Sequence, residues 1–448
     1  MSSEADSKTM LQMKWLLFTV NRDMKNTKKN SLSQLKINGV VVSDPKVVEE
    51  KVTNFFNALF NGHHDTSLVD TGTPFVPDFS GLDAFLEGLG SLSDIARDEL
   101  ETAMTLEELR YIIKDSKNNK SPGLDGISYE FYKITLDIIQ EDLLCVFQCQ
   151  LDRKRIVVDS NTEGVTRLGP KVDGVPCVDE LRPITLLNWD YKLLSKWFVK
   201  RVKPQLHLVI KSGQLCTAGM NFGGAFISWI LMLHEGAKTR FILGFLTRAI
   251  QVRFSIRQGD PLSMILYIIY VEPLLNALER SLVGLRVASI RQTLEAYCDD
   301  INLPTNDLED FNRMEVLVVK FGQYSGAILS RDKKCKVVGF GGWAKKESWP
   351  LVWVKPVRSI KIFGGFVCDS YSEILTINWD FRFQKFKNAI MSWSPRTLGS
   401  LQQRVEVIRM FALSRVYYIS SILPIKPNMV KKFESLMGKF FWQGSGRI

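Results

Sequence analysis

Two adjacent carboxylates, Asp299 and Asp300, stand in the stretch Tyr297-Cys298-Asp299-Asp300, where the pattern reads as a hairpin tip. Leu294-Glu295-Ala296 leads in and Ile301-Asn302-Leu303-Pro304 leads out, so the acids fall where the chain reverses. Paired carboxylates on a tight turn can hold divalent metal against phosphate oxygens, the arrangement that phosphoryl chemistry uses. Clamping two ions around one phosphorus also takes a carboxylate from a neighbouring strand, because the ions must be held from two sides. The plainer use of an Asp pair at a turn is backbone capping, which both side chains do well. The surrounding sequence has to decide between the two.

Other groups with chemical potential lie upstream. Arg257-Gln258-Gly259-Asp260-Pro261-Leu262 pairs an arginine with a glycine that bares backbone, a combination suited to close approach of sugar and phosphate. The same residues also make an ordinary helix start, with Pro in the first turn and Asp260 near the positive end. Lys192, Lys196, Lys200 and Lys203 recur at spacings of four and three. On a helix over Tyr191–Ile210 they form one stripe, opposite Leu193, Leu194, Trp197, Phe198 and Val202. Such a stripe can track a nucleic-acid backbone or simply face water. His63 and His64 fall in a polar loop, and His207 and His234 stand alone, so histidine makes no metal case.

The elements that must carry these residues are legible in part. Pro45–Leu59 places Val47, Val48, Val52, Phe55, Phe56 and Leu59 near one helical face. Thr71–Gly81 is a Gly/Pro/Asp-rich connector. Thr105-Leu106-Glu107-Glu108 reads as a capping box ahead of Leu109–Ile113. That helix runs out in the turn-rich segment Asn118–Gly126. Ser263–Leu278 is apolar nearly all round, which predicts a buried helix, and the tail alternates helices with breaks (Ser400–Ser420, Asn428–Phe441).

A chain of 448 residues is too long for one ordinary core, and two or three domains or subdomains are expected. The formal net charge of +10 is unevenly spread. Tyr191–Arg257 holds eleven Lys or Arg against one acid, Glu235, and Phe381–Ile448 holds twelve against Glu406 and Glu434, while the remainder is net acidic. Two basic blocks in an otherwise acidic chain point to a polyanion held at two places. Seven cysteines (145, 149, 177, 216, 298, 335, 368) include no C-x-x-C pair, which predicts reduced thiols in an intracellular setting, cytoplasmic and/or nuclear. The apolar runs Phe226–Leu233 and Met264–Val271 are too short to span a bilayer, so no membrane partner is expected.

Read in order, the segments are Lys-Ser-Pro-Gly-Leu-Asp-Gly (120–126), Leu-Arg-Pro-Ile-Thr-Leu-Leu-Asn (181–188), Ile-Arg-Gln-Gly-Asp-Pro-Leu-Ser (256–263), Tyr-Cys-Asp-Asp (297–300) and Ser-Gly-Ala-Ile-Leu-Ser-Arg-Asp-Lys (325–333). Beyond them lies a basic helical tail with Phe440-Phe441-Trp442. Together they resemble the reverse transcriptase of non-LTR (LINE-type) retrotransposons, over residues 105–442. The resemblance implies an α+β right-hand polymerase, with a mostly antiparallel palm sheet and a helical thumb. Its segments would be an N-terminal region (1–104), fingers and the start of the palm (105–220), the palm (221–340) and a thumb-like basic region (341–448). It implies an RNA template, a DNA primer and deoxynucleoside triphosphates as partners, and Mg²⁺ as cofactor. Asp299 and Asp300 match the metal-binding pair, with Cys298 where Ala is usual. Lys333 matches a position assisting the pyrophosphate leaving group. Arg182, Arg257, Gln258 and Gly259 match nucleotide- and template-binding positions, and Lys192, Lys196 and Lys200 would lie along the nucleic-acid backbone.

One part of the pattern is missing. The family carries a strand with the first metal-bridging Asp between the fingers and the Arg-Gln-Gly segment. Here Ser212–Met220 resembles the family's sequence ahead of that strand, and Asn221–Trp229 resembles the sequence on its far side. Several tens of residues are thus absent at the Met220–Asn221 join. Between Asp190 and Asp260 the only acid is Glu235. A chain that is catalytically dead or severely impaired, with an incomplete palm, is therefore expected. Neither an endonuclease-like segment nor a Cys/His knuckle is visible, which reads as the central portion of a larger open reading frame.

Overall fold

Local sequence sets the first helix. Asp44 accepts hydrogen bonds from the backbone N–H groups of Lys46 and Val47 (2.8 and 3.2 Å), and Pro45 occupies the first turn, where no N–H is needed. Pro45–Phe60 results, burying Val48, Val52, Phe56 and Phe60. The computed structural model describes residues 32–61, 78, 80–157, 162–171, 174–209, 220–253, 255–297, 300–327, 335–346, 348–393 and 400–442. These form an α+β fold, dominated by helices with small sheets. The chain divides into two compact units, residues 1–282 with 313–328, and residues 283–312 with 329–448.

The first unit has two cores. The smaller lies between the Pro45–Phe60 helix, the hairpin β1 (Leu35–Ile37) and β2 (Val40–Val42), and a four-stranded sheet. That sheet has the order β4-β3-β5-β6, with β3 Glu163–Pro170, β4 Leu181–Leu186, β5 Lys238–Phe241 and β6 Ile250–Gln251. β3 pairs antiparallel with β4 and parallel with β5, and β5 pairs antiparallel with β6, so the sheet is mixed. It also unites strands from either side of the Met220–Asn221 join. Three threonines bind it on one face: the Thr166 hydroxyl is 2.8 Å from that of Thr185 and 2.6 Å from that of Thr239, all buried. Each buried hydroxyl thereby finds a partner it would otherwise lack.

The larger core is helical, built by Leu106–Asp115, Leu136–Arg153, Trp189–Val209, Gly224–His234 and Ser263–Ser281, among others. Its centre is aromatic. Trp197 and Phe198 meet Trp229 (6.0 and 6.1 Å between ring centroids), Phe198 meets Phe226, and Phe226 stacks on Phe222 at 5.3 Å. Each such ring contributes roughly 1.5–3 kcal/mol by leaving water. The Thr105 capping box forms as the sequence predicts, with the Glu108 N–H donating to Thr105 Oγ1 and the Thr105 N–H donating to Glu108. Glu108 also pairs with Arg201 at 2.8 Å, which fastens that helix start to the Trp189–Val209 helix.

The second unit joins short hairpins to a helical core. The pairs are β7 (Leu285–Val287) with β8 (Ile290–Gln292), β9 (Glu295–Tyr297) with β10 (Asp300–Asn302), β11 (Lys336–Val337) with β12 (Lys355–Pro356), and β13 (Ser359–Ile362) with β14 (Gly365–Cys368). Its core gathers Trp379, Phe386, Ile408, Ala412, Phe433 and Phe440 from Tyr371–Met391, Leu401–Ala412 and Pro427–Phe441. No described helix is long and apolar enough to cross a membrane.

Candidate functional site

The site in the first unit is assembled on one short stretch, Asn188 to Ser195, where β4 passes into the Trp189–Val209 helix. The Lys120–Gly126 loop lies directly on it. A Cβ at Gly123 would overlap Asn188 Oδ1 and the Asn188 backbone nitrogen, so the backbone contact requires glycine. The Asp125 N–H donates to Asn188 Oδ1 at 3.3 Å, and Asp125 turns back to accept from the Ile127 N–H at 3.1 Å. Burial raises the Asp125 pKa, with the Asp190 charge adding to the shift and the Lys192 charge opposing it.

The Arg257–Ser263 segment reaches the same place from the other side. The Thr185 N–H donates to the Gln258 carbonyl at 2.6 Å. Gly259 has φ +118°, and a Cβ there would overlap the Thr185 carbonyl oxygen. Only glycine satisfies both the angle and the space. Arg257 is buried, with its guanidinium 4.6 Å from the centre of the Tyr191 ring. It donates to the carbonyls of Thr162 (2.9 Å) and Leu233 (3.3 Å). Asp260 accepts from the Tyr191 hydroxyl at 2.8 Å, from the Ser195 hydroxyl, and from the Leu262 N–H just ahead of Ser263–Ser281 at 3.0 Å. Burial drives the Tyr191 pKa far up, so the phenol stays a donor.

Beside this junction a cavity of about 200 Å³ opens between the Pro45–Phe60 helix and the sheet. Phe55, Phe56 and Phe60 form one wall, and Thr185, Thr239, Arg257 and Gln258 line another. Of the expected nucleotide and template residues, Arg257 and Gln258 therefore line the cavity and Gly259 packs on β4. Arg182 is exposed on the same strand.

The lysine stripe is placed differently from what helical spacing alone predicts. Lys192 is only 9 % exposed, with its ammonium 4.6 Å from the Trp189 ring centre. Lys196 is half-buried and donates to the Ser116 hydroxyl. Lys200 is exposed and lies over Tyr111 at 3.6 Å. The ring over Lys192 comes from the helix's own first residue, Trp189, whereas other helices supply Tyr129 to Lys196 and Tyr111 to Lys200, which the helix's own sequence does not show. Burial pulls the Lys192 pKa down to about 8, with the Lys196 charge assisting and Asp125 and Asp260 opposing.

The acidic hairpin belongs to the second unit. Tyr297 pairs with Asp300, Ala296 with Ile301 and Glu295 with Asn302, leaving a two-residue tip. Asp300 is exposed at that tip, and the Tyr297 ring meets Phe363 edge-on at 6.2 Å. Cys298, Asp299 and Lys333 lie outside the described residues. β9 and β10 pair only with each other among the described residues. Among the described residues, no group of three or more His, Cys, Asp or Glu is placed to hold a metal ion. The described donors thus do not complete a site for Mg²⁺, and Asp300 is the single expected ligand among them.

The Met220–Asn221 join is well packed. Met220 is fully buried and its carbonyl accepts from the Leu92 N–H at 2.9 Å. Asn221 takes a left-handed φ of +60° and donates its side-chain amide to the Leu92 carbonyl and to Asp94, each at 3.1 Å. The described cysteines 145, 149, 177 and 368 are free.

No family model matches the chain. Over 91 % of its length it is 23 % identical to the Transposon TX1 uncharacterized 149 kDa protein of Xenopus laevis. The similarity is to a transposon protein. The chain spans 34 % of that relative's length. A mobile-element origin is what this similarity supports.

Proposed function

We propose that this chain is a reverse-transcriptase-like, RNA-directed DNA polymerase portion of a non-LTR retrotransposon, which holds RNA template and DNA primer but is impaired in extending the primer. One observation carries the reading. Three segments resembling that family, 120–126, 181–188 and 256–263, are far apart in sequence yet meet through Gly123 on Asn188 and Gly259 on Thr185. Chance motif matches have no reason to converge. The cavity beside the junction supplies aromatic surface, hydroxyls and an arginine, which suits a base and sugar.

Impairment is favoured by the acidic hairpin. Among the described residues it pairs with no third strand and no further acid joins Asp300. Binding without turnover is thus the expected behaviour. Primer extension on an RNA template with Mg²⁺ tests it, alongside titration of template–primer at several salt concentrations. Salt-sensitive binding with no incorporation is expected. Template-dependent synthesis above background, lost in Asp299→Asn/Asp300→Asn, overturns the impairment, and salt-insensitive weak binding overturns the nucleic-acid role altogether.

A further inference from the structure

The hairpin β13–β14 turns on Phe363 and Gly364, and both take left-handed angles, φ +47° and +84°. A two-residue turn of this kind favours Asn followed by Gly, and a bulky aromatic residue is strained in its first position. Local turn chemistry therefore does not account for Phe363. Its ring meets the Tyr297 ring edge-on at 6.2 Å. Tyr297 ends β9, with only Cys298 between it and the acidic pair. Phe363 is in turn fixed from behind by the Tyr371–Met391 helix. Arg382 there donates to the Gly364 carbonyl at 2.6 Å, and the buried Asn378 accepts from the Phe366 N–H (2.8 Å) and donates to the Phe366 carbonyl (2.7 Å).

The base of the same segment is fastened by Asp310, which is buried. Its Oδ1 accepts from the Val283 N–H at 2.9 Å, and its Oδ2 accepts from the Gly284 N–H at 2.9 Å and from the Thr305 hydroxyl at 2.6 Å. Gly284 has φ +72°, and a Cβ there would overlap the Gln292 carbonyl oxygen. Val283 and Gly284 precede β7 and Thr305 follows β10, so both hairpins between them leave from one carboxylate and return to it. Charge-assisted bonds to a buried carboxylate are strong, and losing one leaves a buried group unpaired. All of these residues belong to the second unit.

We propose that Asp310 and Phe363 are positioning residues that mount the β9–β10 strand pair, and with it the acidic pair, on the second unit: Asp310 clasps the base and Phe363 braces the far end. The use of the acids in phosphoryl chemistry rests on the polymerase reading above; the mount does not.

Hydrogen exchange read by mass spectrometry compares the full-length chain with Phe363→Asn, Phe363→Tyr, Asp310→Asn and Thr305→Val, without metal or nucleic acid. Phe363→Asn removes the ring and relieves the turn. It is expected to speed exchange in the β9–β10 pair about fivefold, while the β13–β14 hairpin exchanges at the wild-type rate or more slowly. A residue that serves only its own turn leaves β9–β10 unchanged. Phe363→Tyr keeps the wild-type rates. Asp310→Asn is expected to speed exchange about tenfold in the β7–β8 and β9–β10 hairpins together, and Thr305→Val, which keeps the shape and loses one bond, about threefold in β9–β10. Wild-type exchange of β9–β10 in Phe363→Asn, or exchange in Phe363→Tyr as fast as in Phe363→Asn, overturns the brace. Faster exchange confined to Val283 and Gly284 in Asp310→Asn overturns the clasp, and where that variant fails to fold, wild-type exchange of β9–β10 in Thr305→Val does so. Absence of RNA binding by the wild-type chain overturns the nucleic-acid reading alone and leaves the exchange rates to decide the mount.

Discussion

Lys192 and Gly259 show how single residues are held at the junction. Because the Lys192 pKa is lowered in the fold to about 8 from 10.5, both states are protonated below pH 8 and the burial cost is fully present there. Between pH 8 and 10.5 the folded chain has released the proton that the unfolded chain keeps, so stability rises with pH across that window. The melting temperature of the wild type minus that of Lys192→Met is therefore expected to increase from pH 8 to 10.5, a difference in which the other lysines cancel. A flat difference would mean that the ammonium is solvated. Gly259 makes a second prediction. Ala there must take a left-handed angle and displace the Thr185 carbonyl, so a loss on the order of 2–4 kcal/mol is expected in urea unfolding. Gly224, next to no other group, should tolerate the same change with a much smaller loss.

At the level of elements, local signals predict what local forces determine. The Thr105 capping box is present as read, and Thr105→Ala should cost about 1 kcal/mol, measurable by denaturant titration. The helix expected over Pro45–Leu59 runs Pro45–Phe60, and the apolar Ser263–Leu278 run is the buried helix Ser263–Ser281. The strands expected on either side of the acidic pair do pair antiparallel, Glu295–Tyr297 with Asp300–Asn302. Ser400–Ser420 departs from regular helix, passing through a π segment at Ile408–Ala412 and a 3₁₀ turn at Leu413–Arg415, with Ala412 and Ile419 both in the core. The parallel pairing of β3 with β5 was not legible, since its partners lie some seventy residues apart and no turn links them. Nor was the burial of Lys192, because only the Trp189 ring, three residues back on the same helix, is local to it. Of the candidate site, Arg257, Gln258 and Gly259 could be picked out by type. Their bonds to Thr162, Leu233 and Thr185 could not, because each is a long-range contact.

Across the whole chain, the two compact units have separate apolar cores, one around Trp197 and Trp229 and the other around Trp379 and Phe433. Phe433 meets Phe386, Phe383 and Trp379 edge-on, at 4.8, 5.2 and 6.4 Å. Truncating it to Ala should cost about 3–5 kcal/mol within the second unit. Scanning calorimetry is expected to show one transition lowered by Phe433→Ala and another by Trp197→Ala. A single transition lowered equally by both would show one cooperative block instead.

The fastening of two distant segments, 120–126 and 256–263, to Asn188–Ser195 has a bearing on how the gene can change. What lies between Ser195 and Arg257 leaves from a fixed meeting point and returns to it, adding the Gly224–His234 helix to the larger core and β5 and β6 to the sheet on the way. Loss of coding sequence at Met220 and Asn221 would then remove a piece of the protein while leaving its neighbours still assembled.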